Sequence, residues 1–291
     1  MRTLAGRLDL CSINTATLGY RAPIETTIEA VARAGFGAIA PWRRELEGKS
    51  AAQVSRCIHQ AGLKVSGYCR STYIPAATRE RFLANVEDNR RAVDEAAELQ
   101  AACFVIVVGG LPEGSKDLTG ARRQVLEGIS LLLEHARLNG VPLAIEPLHP
   151  MYCADRSCLS TLEQALDLCE ALDPGSERTP ERTSERALGV AVDIYHVWWD
   201  PKLEAQIARA GRAGRLLAFH VSDWLVPTRD MLLDRGMMGD GVVDIARIRA
   251  CMEASGYLGP VEVEIFSQDD WWKRPAREVL SVCAERLQRA C

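Results

Sequence analysis

A chain of 291 residues that is 47% hydrophobic and 25% charged has the balance of an ordinary globular protein, enough for one large domain and no case for disorder. Its formal net charge of −4 argues against a general nucleic-acid binder, which needs an excess of Lys and Arg on one face. The opening MRTLAGRLDLCSIN is interrupted by Arg7 and Asp9, so no secretory h-region forms, and no apolar run approaches the roughly 18 residues of a membrane span. The expectation is a cytoplasmic chain without a membrane partner, whose ten cysteines, none in a C-x-x-C pair, are reduced thiols packed mostly in the core.

Eight short apolar runs bounded by Gly or Pro read as buried parallel strands. In chain order they are LDLCSI (8–13), GAIAPW (37–42), KVSGYC (64–69), CFVIVV (103–108), PLAIEP (142–147), LGVAVDI (188–194), LLAFHV (216–221) and VEVEIF (261–266). A helical pattern follows each, clearest over Arg79–Leu99, where Phe82, Val86, Val93 and Ala97 form one stripe, and over Arg122–Leu138. Ala34-Gly35, Ala61-Gly62, Asn139-Gly140 and Ser255-Gly256 supply the stops before the next strand. The turn after the first run, NTATLGY, lacks the Gly-rich pattern of a doubly wound phosphate-binding sheet. The fold class is therefore α/β, a (β/α)₈ TIM barrel forming a single domain over residues 1–291. The polar DPGSERTPERTSERA (173–187) reads as a surface loop on the barrel's N-terminal face. Asp223–Val243, long and on the C-terminal face, reads as a candidate lid that is more mobile than the barrel.

The active site of such a barrel is built at the C-terminal ends of its strands. Four ionisable residues interrupt the apolar runs there, one in each of the last four: Glu146 in AIEP, Asp193 in AVDIY, His220 in AFHVS and Glu264 in VEVEIF. A charge inside an apolar strand is costly unless paired or bound to metal. Three carboxylates and one imidazole cannot neutralise one another, so the pattern points to a single divalent cation. The oxygen-rich set suits Mn²⁺ best, with Mg²⁺, Co²⁺ or Zn²⁺ as alternatives. Polar residues recur three places on, His149, His196 and Asp223, where they could face a ligand or cap a loop. His59 and His135 fall in predicted helices and read as structural.

EPLHP, VDIYH, FHVSD, GDGVVD (239–244) and SGYLGPVEVEIF resemble the sugar isomerase/epimerase superfamily with xylose-isomerase-like barrels, most closely over roughly residues 140–270. The resemblance implies that Glu146 and Glu264 bind metal and also move protons, as the two glutamates of ketose 3-epimerases do. It implies that Asp193 and His220 complete the metal site and that His196 contacts substrate oxygens. Those enzymes carry an arginine a few residues after the metal histidine; the nearest candidate here is Arg229 in WLVPTRD. The implied activity is divalent-metal-dependent isomerisation or epimerisation of a sugar or keto-sugar through a metal-stabilised enediolate. A lyase or dehydratase expelling a β-substituent is the alternative on the same residues. A metal-binding subunit without turnover is the alternative of another class, which the intact set of four disfavours. The related apurinic endonucleases need three metals and further histidines, and the ends of the third and fourth runs, Tyr68-Cys69 and Val108-Gly109, offer none.

All six tryptophans (Trp42, Trp198, Trp199, Trp224, Trp271 and Trp272) fall just past predicted strand ends. They suit either the C–H faces of a carbohydrate-like small molecule, Trp42 among the contacts, or loop packing and a homo-oligomer interface. Arg43, Arg44, Arg70, Arg229, Lys273 and Arg274 also lie near strand ends, where any could hold a phosphate or carboxylate or simply be solvated.

Overall fold

The computed structural model describes residues 1–174 and 187–291. Most of the predicted 173–187 loop, residues 175–186, therefore lies outside the described residues. Eight parallel strands form the barrel: β1 (Cys11–Asn14), β2 (Ala38–Ala40), β3 (Lys64–Val65), β4 (Phe104–Ile106), β5 (Leu143–Ile145), β6 (Leu188–Asp193), β7 (Leu216–Val221) and β10 (Val261–Val263). Their order is β3-β2-β1-β10-β7-β6-β5-β4. A parallel bridge from Tyr68 to Phe104, with Tyr68 N donating to Cys103 O at 3.0 Å, joins the two ends and closes the cylinder. A two-stranded antiparallel hairpin, β8 (Asp223–Trp224) and β9 (Arg235–Gly236), follows β7 on the C-terminal face.

Each predicted run holds a strand, shortened at one or both ends in all but LLAFHV. The first starts late because Leu8–Leu10 turns as a 3-10 helix. The long helices α1 (Arg79–Glu98) and α2 (Leu118–Leu138) coincide with the predicted stripes, α2 starting one turn earlier because Asp117 caps Gly120 N. Ser50, Thr78, Thr161 and Asp244 cap the helices they precede through their side-chain oxygens. Gly35 and Gly140 stand at φ +90 and +65, where a Cβ would be strained, and turn the chain into the next strand.

The apolar core is layered. Strand residues such as Ile13, Ile39, Ile106, Ile145, Val192 and Val263 face the helices. A separate, smaller cluster (Ala40, Cys69, Cys103, Val105, Ala144, Ala191 and Ala218) occupies the cylinder interior. Small side chains inside leave space for the polar residues stacked above and among them. Cys11, Cys103 and Cys169 are buried, and all ten cysteines are free. Among the described residues no helix is long and apolar enough to cross a membrane.

Candidate functional site

The backbone ladder puts the four ionisable residues of the last four runs at one level. Asp193 is in register with His220 across β6 and β7. Glu264 N donates to Val221 O at 3.1 Å and Glu146 N to Ile106 O at 3.0 Å, fixing the residues just past β10 and β5. Around the arc the order is Glu264, His220, Asp193, Glu146. One ligand atom from each lies within 4.8 Å of every other, and all four residues are buried.

Contacts inside this group do not satisfy it. His220 Nδ1 lies 2.9 Å from Glu146 Oε1 and 3.9 Å from Glu264 Oε2. Neither Glu146 Oε1 nor either ring nitrogen of His220 makes a hydrogen bond of acceptable geometry, although all three are sealed from solvent. Buried polar atoms are rarely left so. Oxygens and a nitrogen converging on one point form the donor set of a divalent cation, and the residues fit that group. Burial alone would lower the His220 pKa, but facing Glu262, Glu146 and Glu264 outweigh it and hold the value well above the ordinary one.

Two further residues complete the centre, and neither was among the sequence candidates. Arg235 enters from the hairpin. Its Nη1 donates to Asp193 Oδ2 at 2.9 Å and to Glu264 Oε2 at 3.0 Å, and its Nη2 lies 3.1 Å from His196 Nε2. Its guanidinium sits 4.4 Å over the Tyr195 ring and 4.8 Å over Phe266. Glu262 faces His220 from beneath: its Oε1 is 3.5 Å from Nε2 and also accepts from Asn14 Nδ2 at 2.9 Å, while its Oε2 accepts from Ser66 Oγ at 2.7 Å. The signal for Glu262 was present as its i, i+2 spacing from Glu264, which puts both on one strand face.

Burial raises the Asp193 carboxyl, but Arg235, His196 and His220 overcome it and leave it below its ordinary value. Burial pushes Glu264 the other way, upward, reinforced by Glu146 and Asp193 and opposed by Arg235 and His220. His196 is driven down to about 3, first by burial and then by Arg235 against the pull of Asp193, so its ring is neutral.

The remaining candidates divide. His196 and Trp42 line a small chamber of about 40 Å³ with Glu146, Glu264 and Arg235. Trp42 Nε1 is tied to Asn14 Oδ1 at 2.7 Å. Arg229 does not join them: its exposed guanidinium grips Asp234 instead, and the chain turns back so that Arg235 reaches the centre. His149 stacks on Trp224 at 4.9 Å and meets Trp199 edge-on at 5.8 Å, outside the chamber. The Asp223 carboxylate is committed to backbone, accepting from Gly239 N at 2.9 Å and Val243 N at 3.0 Å, a bond pattern that holds a loop. The expected lid is accordingly docked: Met237 and Met238 are fully buried, and Tyr195 donates to Met231 O at 2.9 Å. Of the tryptophans, Trp42 and Trp272 line a wide outer cleft of about 1440 Å³ above the chamber. Of the other four, Trp271 belongs to the apolar core, Trp198 packs against it, and Trp199 and Trp224 lie against His149.

Residues 28–285 match the family model described as xylose isomerase-like TIM barrel. Among solved structures, protein SMc04130 from Sinorhizobium meliloti 1021 shares 52% sequence identity over 98% of this chain and 99% of that one, with a TM-score of 0.92. Among curated proteins, the chain is 24% identical to 3-dehydroshikimate dehydratase of Pseudomonas putida over 90% of its own length, but it spans only 39% of that relative. It is 25% identical to L-ribulose-5-phosphate 3-epimerase UlaE of Shigella flexneri, over 78% of this chain and 72% of that protein.

Proposed function

The chain belongs to the xylose isomerase-like TIM barrel family, and from that premise we propose that it is a Mn²⁺-dependent isomerase or epimerase of a sugar-like carbonyl compound. Glu146, Asp193, His220 and Glu264 are its metal ligands, and Glu146 and Glu264 its proton-transfer groups. A divalent cation held there would chelate a carbonyl oxygen and the neighbouring hydroxyl and acidify the C–H between them.

The observation that carries this reading is the placement of the two glutamates. They stand on the outer strands of the four-strand arc, with Asp193 and His220 between them, and both line the chamber. Carboxylates on opposite flanks of a bound carbonyl compound can take a proton from one side and return it from the other. Arg235 keeps Asp193 and Glu264 charge-balanced. Because a guanidinium only donates, His196 Nε2 must accept from it, and the neutral ring carries its hydrogen on Nδ1. That Nδ1 is buried without a partner in a residue lining the chamber, so it is free to donate to a substrate oxygen. Departure of a β-hydroxyl after the same proton abstraction would make the enzyme a dehydratase. The curated relatives, one named for dehydration and one for 3-epimerisation, support keeping both outcomes.

The test is turnover in D₂O across keto-sugars, their phosphates and cyclic keto-acids, with metal content measured alongside. Expected are about one divalent ion per chain and solvent deuterium on the carbon beside the carbonyl. Glu146→Gln and Glu264→Gln should fold and lose about 10²-fold or more in turnover. Product without deuterium, its protium transferred intact, would refute the two-glutamate route. A product lacking the elements of water would select the dehydratase.

A further inference from the structure

Six basic residues at strand ends were candidates for holding an anion, and the structure removes four of them. Arg43 is bound to Asp88 and Glu95, Arg229 to Asp234, Lys273 to Asp269, and Arg274 to Asp270 and Glu278. Arg44 lies over the Tyr20 ring at 4.5 Å and borders only the outer cleft. Arg70 is different. It lines both the inner chamber and the outer cleft, and so does Arg156. Neither makes an ion pair among the described residues.

Their partners are aromatic rings. Arg70 lies 5.1 Å over Tyr73 and Arg156 5.4 Å over Tyr152, contacts that orient a guanidinium without neutralising it. Two atoms at this place are buried and unpartnered, Arg156 Nε and the hydroxyl of Tyr152, another chamber residue. Arg70 also holds φ at +83, a left-handed conformation that an arginine adopts only at a cost.

The charges of the reaction centre do not need these two. The three carboxylates Glu146, Asp193 and Glu264 are balanced by a divalent cation and Arg235, and the fourth, Glu262, is held by hydrogen bonds from Asn14 and Ser66. Among the described residues, the carboxylates that line the chamber are Glu146 and Glu264, already committed to that centre. Of the carboxylates that line the outer cleft, Asp88 and Glu95 are held by Arg43, and Glu47 and Glu113 are exposed. Arg70 and Arg156 are therefore two positive charges without an ion-pair partner where the chamber opens into the cleft. Arg70 is exposed at the cleft, its Nη1 3.4 Å from the Tyr73 hydroxyl, and Arg156 is half-buried with its Nε unpartnered; guanidinium donors with unsatisfied hydrogens attract an anion.

We propose that Arg70 and Arg156 form an anion subsite, with the Tyr152 hydroxyl as a third donor. The substrate is then a polyhydroxy carbonyl compound bearing a carboxylate or phosphate at the end remote from the reacting carbon. This deepens the reading of the chamber as the reaction site and rests on it. The remote charge supplies binding energy and sets which carbon faces Glu146 and Glu264.

The experiment is calorimetric titration of the Mn²⁺-loaded chain with two matched pairs at two salt concentrations. One pair is 3-dehydroshikimate and its methyl ester, which reports a carboxylate; the other is L-ribulose 5-phosphate and L-ribulose, which reports a phosphate. In at least one pair the charged member should bind about 10-fold or more tighter, the advantage shrinking with salt. Arg70→Met and Arg156→Met should each erase most of that advantage while leaving manganese content, melting temperature and neutral-probe affinity unchanged. Equal affinity within both pairs, no binding of either charged probe, or an advantage that survives both substitutions overturns the proposal. Failure of the wild type to hold metal is a separate result and overturns the reading of the chamber instead.

Discussion

Arg235→Met removes the guanidinium that the hairpin supplies to the centre while keeping most of the side chain's length and volume. Arg235 Nη1 stands 2.9 Å from Asp193 Oδ2 and 3.0 Å from Glu264 Oε2. At an effective dielectric constant of about 20, each contact is worth roughly 5.5 kcal/mol of Coulomb attraction. The loss in stability is smaller than the sum of about 11, because burying the guanidinium has its own desolvation cost. Glu264, whose pKa burial already raises, can also take a proton and relieve the unpaired charge. Removing one member of a buried ionic group costs about 3–5 kcal/mol, which we take as the expected destabilisation of the metal-free variant. At roughly 1.6 °C per kcal/mol for a chain of this size, the melting temperature should fall by about 5–8 °C. The metal-loaded protein should respond differently. Without Arg235 the three carboxylates present a net charge one unit more negative to the cation, so Mn²⁺ affinity should be maintained or increased. The gap between metal-free and metal-loaded melting temperatures should therefore widen in the variant. Scanning calorimetry with and without chelator reads both arms. A metal-free variant as stable as the wild type would refute the electrostatic account, and so would a variant that no longer retains Mn²⁺.

Two further outcomes are expected. His220→Ala and Asp193→Ala should each lose the bound metal, read by elemental analysis; full retention in both would sink the ligand assignment. Asp223→Ala removes the acceptor of the Gly239 and Val243 amides and should destabilise the chain by about 2–4 kcal/mol, speeding hydrogen exchange in the hairpin segment with manganese retained. A variant unchanged in stability but weakened for substrate would restore Asp223 to the substrate contacts.

What the sequence could and could not disclose follows from how each residue reaches the site. Asp193 and His220 lie inside strands, and Glu146 and Glu264 one residue past them. A charge breaking an apolar run at a strand end is visible in one dimension, and the parallel ladder converts equal strand position into spatial proximity. Arg235 arrives by a hairpin whose pairing, Asp223 with Gly236 and Trp224 with Arg235, exists only after folding. Counting along the chain from His220 meets Arg229 first, and nothing local says that Asp234 will hold it at the surface. His149 and Asp223 failed to reach the chamber for a related reason. The i+3 spacing that suggested them fixes a distance past the strand, not the direction in which the loop leaves it. His196 is different because Ile194–Val197 continues directly into a helical turn capped by Asp193, which keeps its ring beside the strand end.

Glu262 shows what the barrel interior contributes beneath the reacting groups. A TIM barrel ordinarily fills its cylinder with branched apolar side chains. Here the interior cluster is mostly alanine and cysteine with a single valine, and the space left by those small residues is taken by Ser12, Asn14, Ser66 and Glu262. An isolated carboxylate at that depth would be costly, but Glu262 accepts from Asn14 and Ser66, and Ser12 and Ser66 are 2.6 Å apart. It is also in register with His220 across β7 and β10, its Oε1 facing Nε2. A carboxylate behind Nε2 favours a proton there, the tautomer in which His220 would offer Nδ1 to a cation beside Glu146 and Glu264. The small residues thus make room for a polar layer, and the polar layer orients the imidazole. Filling that space with larger apolar side chains would leave His220 in place while removing the group that selects its tautomer.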